Sequence, residues 1–244
     1  MGTFTLMNDE AAATSGTGQL EAIVFDFDGL IADTEWPEYR AIAEQFERHG
    51  LDYPPEGWVH VIGSSWEIDW VSDLELRLGR SVDRQELLDR RRARGRELRV
   101  DLAVLPGVEE LVRAALAIDL PLAVASSSPR SWVEPLLERL GLGGCFQVIR
   151  TRDDVALAKP APDLFLAACA GLDVDPRNAV ALEDSANGAT AAKSAGMRCV
   201  AVPNRLTRFL DLSHADLVID SLLQVDLPML RALVRGHEKR TPSG

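Results

Sequence analysis

The sequence is poor in the residues that build disulfide frameworks, zinc sites and membrane anchors. Its 244 residues include three cysteines, Cys145, Cys169 and Cys199, which lie far apart in apolar surroundings, and four scattered histidines. This spacing argues against a disulfide framework and a zinc site, and it predicts buried free thiols in a reducing compartment. The sequence also has no apolar run long enough to cross a bilayer and no basic-then-apolar signal pattern. We therefore expect a cytoplasmic protein.

Positive charge is scarce as well. Lysine and arginine number 26 against 38 aspartates and glutamates, which gives a formal net charge of -12. Such a chain repels nucleic acid backbones and anionic membrane surfaces, so we expect neither as a partner. Apolar residues make up 46% of the chain, enough for the core of one large domain or of a domain that carries an insertion. The composition leaves open whether the protein is a monomer or a homodimer.

Short apolar runs alternate with helical patterns along most of the chain. In the clearest example, Ser128 is a candidate N-cap, Pro129 fits the first helical turn and Gly141 ends the helix. This alternation predicts an α/β fold with three layers, a Rossmann-like parallel sheet core covered by helices on both faces. The predicted strands are 22–25, 122–125, 146–149, 179–182 and 199–202, and the helices between them include 128–141, 162–171 and 185–196.

Residues 34–105 interrupt this alternation, because they contain no convincing strand run. We interpret the segment as a helical insertion between the first and second strands, and Pro106 with Gly107 marks the return to the sheet. Both chain ends are small and polar, which predicts a disordered lead-in and a flexible tail. The predicted helices of the insertion are 41–49, 66–78 and 83–99. The predicted division is 1–19 for the lead-in, 20–33 and 106–235 for the α/β core, 34–105 for the insertion and 236–244 for the tail.

Two carboxylates and a glycine follow the first predicted strand, in Asp26-Phe27-Asp28-Gly29. Residues two apart on a strand point to the same side, so Asp26 and Asp28 would be near neighbours if the extended backbone continues past the strand. Two like charges held that close are costly unless a cation or a proton lies between them. The motif therefore indicates a metal site, an acid–base pair or both, although an ordinary acidic turn would contain the same residues.

Further polar side chains follow the other predicted strands. Ligands bind beyond the carboxyl ends of parallel strands, so these groups would meet at one edge of the sheet. Taken singly, each has an ordinary explanation: the serines as helix caps, the acids as first-turn residues and the lysine as a solvated surface residue. Taken together, they indicate one site. The groups are Ser126, Ser127 and Ser128 after the second strand, Lys159 after the third, and Glu183, Asp184 and Ser185 after the fourth.

This combination of carboxylates, hydroxyls and one ammonium suits phosphoryl transfer. A phosphate monoester is an anion, so carboxylates alone would repel it. Mg²⁺ resolves this conflict, because it prefers oxygen ligands and usually takes one or two carboxylates together with substrate oxygens. Lys159, the Ser126 hydroxyl and nearby backbone N–H groups would then hold the remaining phosphate oxygens. We therefore expect Mg²⁺ as the cofactor and a small phosphorylated metabolite as the partner.

In their order along the chain, these residues resemble the four motifs of the haloacid dehalogenase-like superfamily. The insertion after the first motif is similar to the cap domain of the branch that includes phosphoglycolate phosphatase-like and β-phosphoglucomutase-like proteins. The resemblance runs from about residue 21 to 225. The matching segments are Asp26-Phe27-Asp28-Gly29, Asp33-Thr34-Glu35, Ser126, Lys159-Pro160 and Glu183-Asp184.

The resemblance implies a Mg²⁺-dependent phosphatase that hydrolyses a sugar phosphate or a phosphoglycolate-like acid through an aspartyl-phosphate. Asp26 would be the nucleophile, and Asp28 would protonate the leaving alkoxide and then activate water. Ser126 would bind the phosphoryl group, and Lys159 would offset the clustered negative charge. The metal ligands would be Asp26, the backbone carbonyl of Asp28, Glu183 and Asp184.

The resemblance also implies that the helical cap closes over the site, excludes water and selects the leaving group. Gly63 and Ser64 resemble the cap loop that reaches the substrate, and Trp36 could line the entrance, although core packing explains these residues equally well. With Ser126 and Ser127 they are the expected substrate-binding residues. The six arginines between residues 90 and 99 are expected on a solvated face beside nearby acids, unless one of them reaches a second anionic group of the substrate.

Departures from the family pattern bear on the alternatives. Leu30 stands where the family usually has Thr or Val, and Asp28 argues against dehalogenation, because true dehalogenases lack this second aspartate. The first lysine in the chain is Lys159, so the insertion offers none for a phosphonatase-like Schiff base.

Mutase-like members use a cap lysine and a histidine after the first motif, and both are missing here, which weakens the phosphosugar mutase alternative without excluding it. A non-catalytic phosphate-binding regulatory protein is disfavoured, because all motif residues are present.

Overall fold

The computed structural model describes residues 18–59, 62–63 and 68–236. The predicted lead-in and tail therefore lie almost wholly outside the described residues. The described part contains six strands and eight α-helices. In chain order these are β1 (Ala22–Phe25), α1 (Glu35–Glu47), α2 (Trp70–Leu78), α3 (Arg84–Leu98), α4 (Val108–Leu116), β2 (Leu122–Ala125), α5 (Arg130–Arg139), β3 (Val148–Arg150), α6 (Asp163–Leu172), β4 (Ala179–Glu183), α7 (Ala186–Ser194), β5 (Arg198–Ala201), β6 (Leu217–Val218) and α8 (Leu227–Arg235).

The six strands form one parallel sheet in which β1 is central. The strand order is β3-β2-β1-β4-β5-β6, and every neighbouring pair is parallel. Phe25 at the end of β1 lies opposite Val124 of β2 and Leu182 of β4. Because these three strands end at the same level, the residues that follow them meet at one edge of the sheet.

Side chains of the central strand alternate between two hydrophobic cores, one on each face of the sheet. Ile23 and Phe25 enter a core shared with α4, α5 and α8, whereas Ala22 and Val24 enter a core shared with α6 and α7. All four residues are inaccessible to solvent, which is why the sequence shows a continuous apolar run and not an alternating one. The predicted three-layer α/β fold is confirmed.

Two strands differ from the prediction by more than one residue, whereas β4 and β5 differ by a single residue. The apolar run at 146–149 predicts a strand there, but β3 is Val148–Arg150. Phe146 instead turns into the core and packs edge-to-face against Phe25, with the ring centroids 5.6 Å apart. The sixth strand, Leu217–Val218, has two residues, which is too short to produce a recognisable apolar run.

Ser128 does not cap the helix that follows it, contrary to the prediction. Helix α5 begins at Arg130, with Pro129 in the N-cap position and no side-chain cap. The Arg130 N–H instead donates to Asp153 Oδ2 at 2.8 Å. A carboxylate 23 residues further along the chain thus accepts a hydrogen bond from the first turn of the helix. The hydroxyl of Ser128 is therefore available for contacts elsewhere. In contrast, Ser185 does cap α7, by accepting a hydrogen bond from the Gly188 N–H.

The described residues of 34–105 form helices and no strand, as predicted. Helices α1, α2 and α3 enclose a hydrophobic cluster of their own that includes Tyr39, Phe46 and Leu74. Helix α1 begins at Glu35, earlier than the predicted 41–49, and α2 begins at Trp70, after a side-chain cap by Asp69. The assignment of this insertion as a cap domain stays a prediction.

The structure also bears on the cysteines and on membrane insertion. Cys145, Cys169 and Cys199 are unpaired; the last two are buried and the first is half-buried. Within the described residues, no helix combines the length and the apolar character that a bilayer-spanning segment needs.

Replacing Gly107 with alanine should destabilise the fold strongly. Gly107 precedes α4 with φ at +93°, and a Cβ atom there would lie 2.3 Å from the backbone of Leu222 and Leu223. We expect G107A to lose more than about 2 kcal/mol of unfolding free energy, measured by urea denaturation, because left-handed strain and a backbone clash add. The control is Gly141→Ala, at φ +75° with open space around it, which should lose only about 1–2 kcal/mol. Equal losses in the two variants would contradict the clash.

Candidate active site

Backbone hydrogen bonds beyond the strand ends hold the first residues of the site in place. The Asp26 N–H donates to the Leu182 carbonyl at 2.9 Å, and the Ser126 N–H donates to the Arg150 carbonyl at 2.9 Å. The pairing of neighbouring strands is thus continued by one residue past β1 and β2. The side chains that follow start from fixed positions on the sheet edge.

Three carboxylates lie together at this edge. Asp26, Glu183 and Asp184 each place an oxygen within 4.8 Å of the others, and all three residues are buried. The ammonium of Lys159, itself fully buried, contacts Asp26 Oδ1 and donates to Glu183 Oε1 at 2.5 Å. The structure thus brings four of the predicted site residues into direct contact, although they come from three separate parts of the chain.

Three carboxylates around one ammonium give this cluster an excess of negative charge, which burial makes costly. Burial and the Glu183 charge raise the pKa of Asp26 well above its usual range, and the same two causes raise the pKa of Asp184. Burial alone would lower the pKa of Lys159, but the charges of Asp26 and Glu183 outweigh it and raise that pKa. One ammonium therefore faces three carboxylates, and an additional cation would relieve the repulsion.

Glu183 is held by donors on both of its oxygens. Oε1 accepts from Lys159, while Oε2 accepts from the Asp184 N–H at 3.0 Å, the Ser185 N–H at 3.1 Å and the Ser185 hydroxyl at 2.9 Å. These contacts orient Lys159 and the turn that carries Asp184. In contrast, Asp184 Oδ1 is buried and accepts no hydrogen bond from any described residue, so this oxygen is free to bind a cation.

Asp28 lies outside the carboxylate cluster of Asp26, Glu183 and Asp184, because the chain turns at Phe27, whose carbonyl accepts from the Ile31 N–H at 3.0 Å. Its Oδ1 accepts from the Thr34 hydroxyl at 2.7 Å and from Trp132 Nε1 at 2.8 Å. Its Oδ2 accepts from the Ser128 hydroxyl at 2.6 Å and from the Ser126 hydroxyl at 3.2 Å. The sequence pattern does not identify Thr34, Ser128 or Trp132 as partners of Asp28, because two of them lie about 100 residues away.

The predicted substrate-binding residues have different surroundings. The Ser127 hydroxyl donates to the Gly63 carbonyl at 3.0 Å, which joins the core to the insertion next to the site. Trp36 packs beneath the guanidinium of Arg205, 4.2 Å from its carbon to the ring centroid, and against Tyr39 at 5.5 Å. Ser64 lies outside the described residues.

A cavity of about 290 Å³ opens beside Asp28 between the core and the insertion. Helix α3 and helix α1 contribute charged side chains to it, and α5 contributes an aromatic ring. The sequence does not single out Glu35 or Glu38 for this position, because both look like ordinary first-turn acids of a helix. The lining residues are Asp28, Thr34, Glu35, Glu38, Arg91, Arg99, Ser128, Pro129 and Trp132.

Glu35 in this cavity has an unusual carboxyl group. Burial and the nearby charge of Asp28 raise its pKa to about 7, against the opposing hydrogen bond from Trp58, whose Nε1 lies 3.2 Å from Glu35 Oε2. Glu35 is therefore partly protonated near neutral pH. It can donate as well as accept a hydrogen bond at the wall of the cavity.

Replacing Glu35 with glutamine should change how stability depends on pH. The pKa of the Glu35 carboxyl rises from 4.5 in a free glutamate to about 7 in the fold. Because the unfolded chain ionises at the lower pH, the free energy of unfolding falls as the pH rises from 4.5 to about 7. Above about pH 7 this loss of stability is complete. We expect E35Q to gain stability over the parent at pH 8 and much less at pH 5, in urea denaturation. The exposed Glu56→Gln variant is the control. A difference between E35Q and the parent that is equal at both pH values would contradict this assignment.

Comparison with known proteins adds four findings. A family model described as a haloacid dehalogenase-like hydrolase matches residues 20–196. YhcW of Bacillus subtilis (strain 168), whose name includes the word phosphatase, is 41% identical over 211 residues, which cover 86% of this chain and 96% of YhcW. A crystal structure of a CbbY mutant from Rhodobacter sphaeroides in complex with xylulose-(1,5)bisphosphate is similar with a TM-score of 0.67 and 32% identity, covering 84% of this chain and 96% of that one. A crystal structure of β-phosphoglucomutase from Clostridium difficile is similar with a TM-score of 0.69 and 26% identity, covering 91% and 100%.

Proposed function

Because the chain belongs to the haloacid dehalogenase-like hydrolase family, we propose that it is a Mg²⁺-dependent phosphatase that hydrolyses a small phosphomonoester through an aspartyl-phosphate. The observation that carries this proposal is the buried group of Asp26, Glu183 and Asp184 around the ammonium of Lys159. The similarity to YhcW supports phosphatase activity in particular. We further propose that the enzyme acts in the cytoplasm, in line with its three free thiols.

Mg²⁺ fits the donor set of this site. Asp184 Oδ1, which has no partner among the residues that the structure describes, offers a buried carboxyl oxygen, and hard oxygen donors are what this ion prefers. We assign Asp26, Asp184 and the backbone carbonyl of Asp28 as its ligands, with Glu183 as the neighbouring acid that orients them. When bound, the ion supplies positive charge against the carboxylates and the phosphoryl oxygens.

Asp26 and Lys159 perform the first half of the proposed reaction. A carboxylate oxygen of Asp26 attacks phosphorus, the bond from phosphorus to the leaving oxygen breaks, and an aspartyl-phosphate forms. The ammonium of Lys159 favours the ionised form of Asp26, against burial and the Glu183 charge, and offsets the charge that gathers on the phosphoryl oxygens. Ser126, buried at the end of β2, offers its hydroxyl to the same phosphoryl group.

Asp28 transfers the protons in both halves of the reaction. It first donates a proton to the leaving alkoxide and then takes one from a water molecule, which attacks the aspartyl-phosphate and releases inorganic phosphate. Its place at the mouth of the cavity, held by Ser128 and Trp132, suits a group that must serve the leaving oxygen and then the incoming water.

The helical insertion is proposed to act as the cap that selects the leaving group. The cavity beside Asp28 has walls from both parts of the chain and contains carboxyl and guanidinium groups, which suit the hydroxyls of a sugar or a polyol. A CbbY structure with a bound xylulose bisphosphate supports a phosphorylated sugar as the substrate class. The β-phosphoglucomutase neighbour keeps a phosphosugar mutase as the second candidate, although the chain has no lysine before Lys159.

Asn in place of Asp26 should abolish phosphate release. The amide of D26N keeps the shape of the side chain but is a poor nucleophile, so we expect turnover of small phosphomonoesters to fall at least about 10³-fold. Release by the parent should require Mg²⁺ and stop in EDTA. The measurement is inorganic phosphate released from a panel of sugar phosphates and phosphoglycolate. The matched control is Asp89→Asn, on the exposed face of α3, which should retain parental turnover.

Three other outcomes would redirect the assignment. Full Mg²⁺-dependent activity in D26N would show that Asp26 is not the nucleophile. Interconversion of phosphosugar isomers by the parent without net phosphate release would favour the mutase. Binding of phosphate and metal without any turnover would favour a regulatory protein.

A further inference from the structure

Asn204 contacts the acidic site from the loop that follows β5. Its side-chain Nδ2 donates to Asp184 Oδ2 at 2.7 Å and to the Gly29 carbonyl at 3.2 Å. The loop crosses the carboxyl edge of the sheet next to β4, where Asp184 follows the strand. Asn204 therefore holds one oxygen of Asp184, while the other has no hydrogen-bond partner within the described part of the chain.

The orientation of this amide is determined by its own surroundings. Its Oδ1 accepts from the Leu206 N–H at 2.8 Å and from the Thr207 N–H at 3.1 Å. Since only the carbonyl end of an amide can accept two N–H donors, the NH₂ end must face Asp184. The Asn204 N–H also donates to the Thr207 hydroxyl at 2.9 Å, which closes the turn.

Glycine at position 29 permits this approach. Gly29 has φ at +88°, and a Cβ atom there would lie 2.3 Å from Asp184 Oδ2 and 2.7 Å from Asn204 Nδ2. Any larger residue would occupy the space in which the amide meets the carboxylate. The turn after Asp28 and the loop after β5 are therefore built to bring these two side chains together.

The insertion holds the other side of the same loop. The guanidinium of Arg205 stacks on Trp36 of the insertion, and its Nε donates at 2.9 Å to Oδ2 of Asp33, the last residue before the insertion. Leu206 is fully buried in the hydrophobic cluster of α1, α2 and α3. Three consecutive residues thus contact the acidic site, the start of the insertion and the core of the insertion, which limits the freedom of Asn204.

We propose that Asn204 is a positioning residue that presents Asp184 Oδ1 to the metal ion. This inference rests on the proposed function, because it takes Asp184 as a metal ligand. Residues that orient metal ligands from behind typically change metal affinity 10- to 100-fold when they are lost. The alternative is that Asn204 serves only the turn, through its bonds to Leu206 and Thr207.

Serine at position 204 separates these two roles. The hydroxyl of N204S can still accept from the N–H groups of the turn, but it is too short to reach Asp184. We expect the Kd for Mg²⁺ to rise at least about tenfold, measured by calorimetric titration of the metal alone into the full chain. The matched control is Thr207→Val, which removes the hydroxyl that closes the turn and leaves the bond to Asp184, and its Kd should stay within twofold of the parent.

Each outcome of the titration decides a separate point. A parental Kd in N204S, or an equal rise in T207V, would overturn the positioning role while the proposed function stands. Absence of Mg²⁺ binding by the parent would overturn both. If N204S does not fold, the side-chain amide NMR signal of Asn204 in the parent answers the question, since it should shift on addition of Mg²⁺ more than those of Asn178 and Asn187. An equal or smaller shift would overturn the proposal.

Discussion

The buried ammonium of Lys159 is the interaction on which the rest of the site depends. It has no access to solvent and lies between Asp26 and Glu183, with its charge also 4.9 Å from the centre of the Phe165 ring. A buried carboxylate is costly without a partner, and here three of them share one cation. Burial, together with the remaining negative charge, raises the pKa values of Asp26 and Asp184 above their usual range. The same negative charge explains why a divalent cation suits this site.

The parallel sheet makes this arrangement possible with residues from distant parts of the chain. Asp26, Lys159 and Glu183 are separated by 133 and 24 positions, yet they meet at one edge because they lie at or beyond the carboxyl ends of β1, β3 and β4 of one parallel sheet. The sheet edge also fixes the turn that follows β4. Glu183 is the last residue of β4, and its Oε2 accepts a hydrogen bond from the N–H of Ser185, the N-cap of α7. The chemistry is thus located where strand ends meet helix beginnings.

The helical insertion shares several contacts with that edge. Ser127 meets the Gly63 carbonyl, the Asn187 side chain donates to the Ile62 carbonyl at 2.9 Å, and Arg99 lies 5.1 Å from the ring centre of Trp132, which in turn bonds to Asp28. The boundary between the two parts therefore passes through residues of the proposed reaction. In the proposed function, an insertion held in this way would act on both the choice of leaving group and the position of Asp28.

The sequence by itself determined the strand–helix alternation, the bounds of β1 and β2, and the meeting of Asp26, Lys159, Glu183 and Asp184 at one edge. It could do so because fully buried central strands require continuous apolar runs, and because parallel strands align their carboxyl ends. The tertiary structure alone decided the direction of Asp28, the partners Ser128 and Trp132, the raised pKa of Glu35 and the contact of Asn204 with Asp184. These features depend on the turn at Gly29 and on close contacts between segments far apart in the chain, which no local pattern of residues encodes.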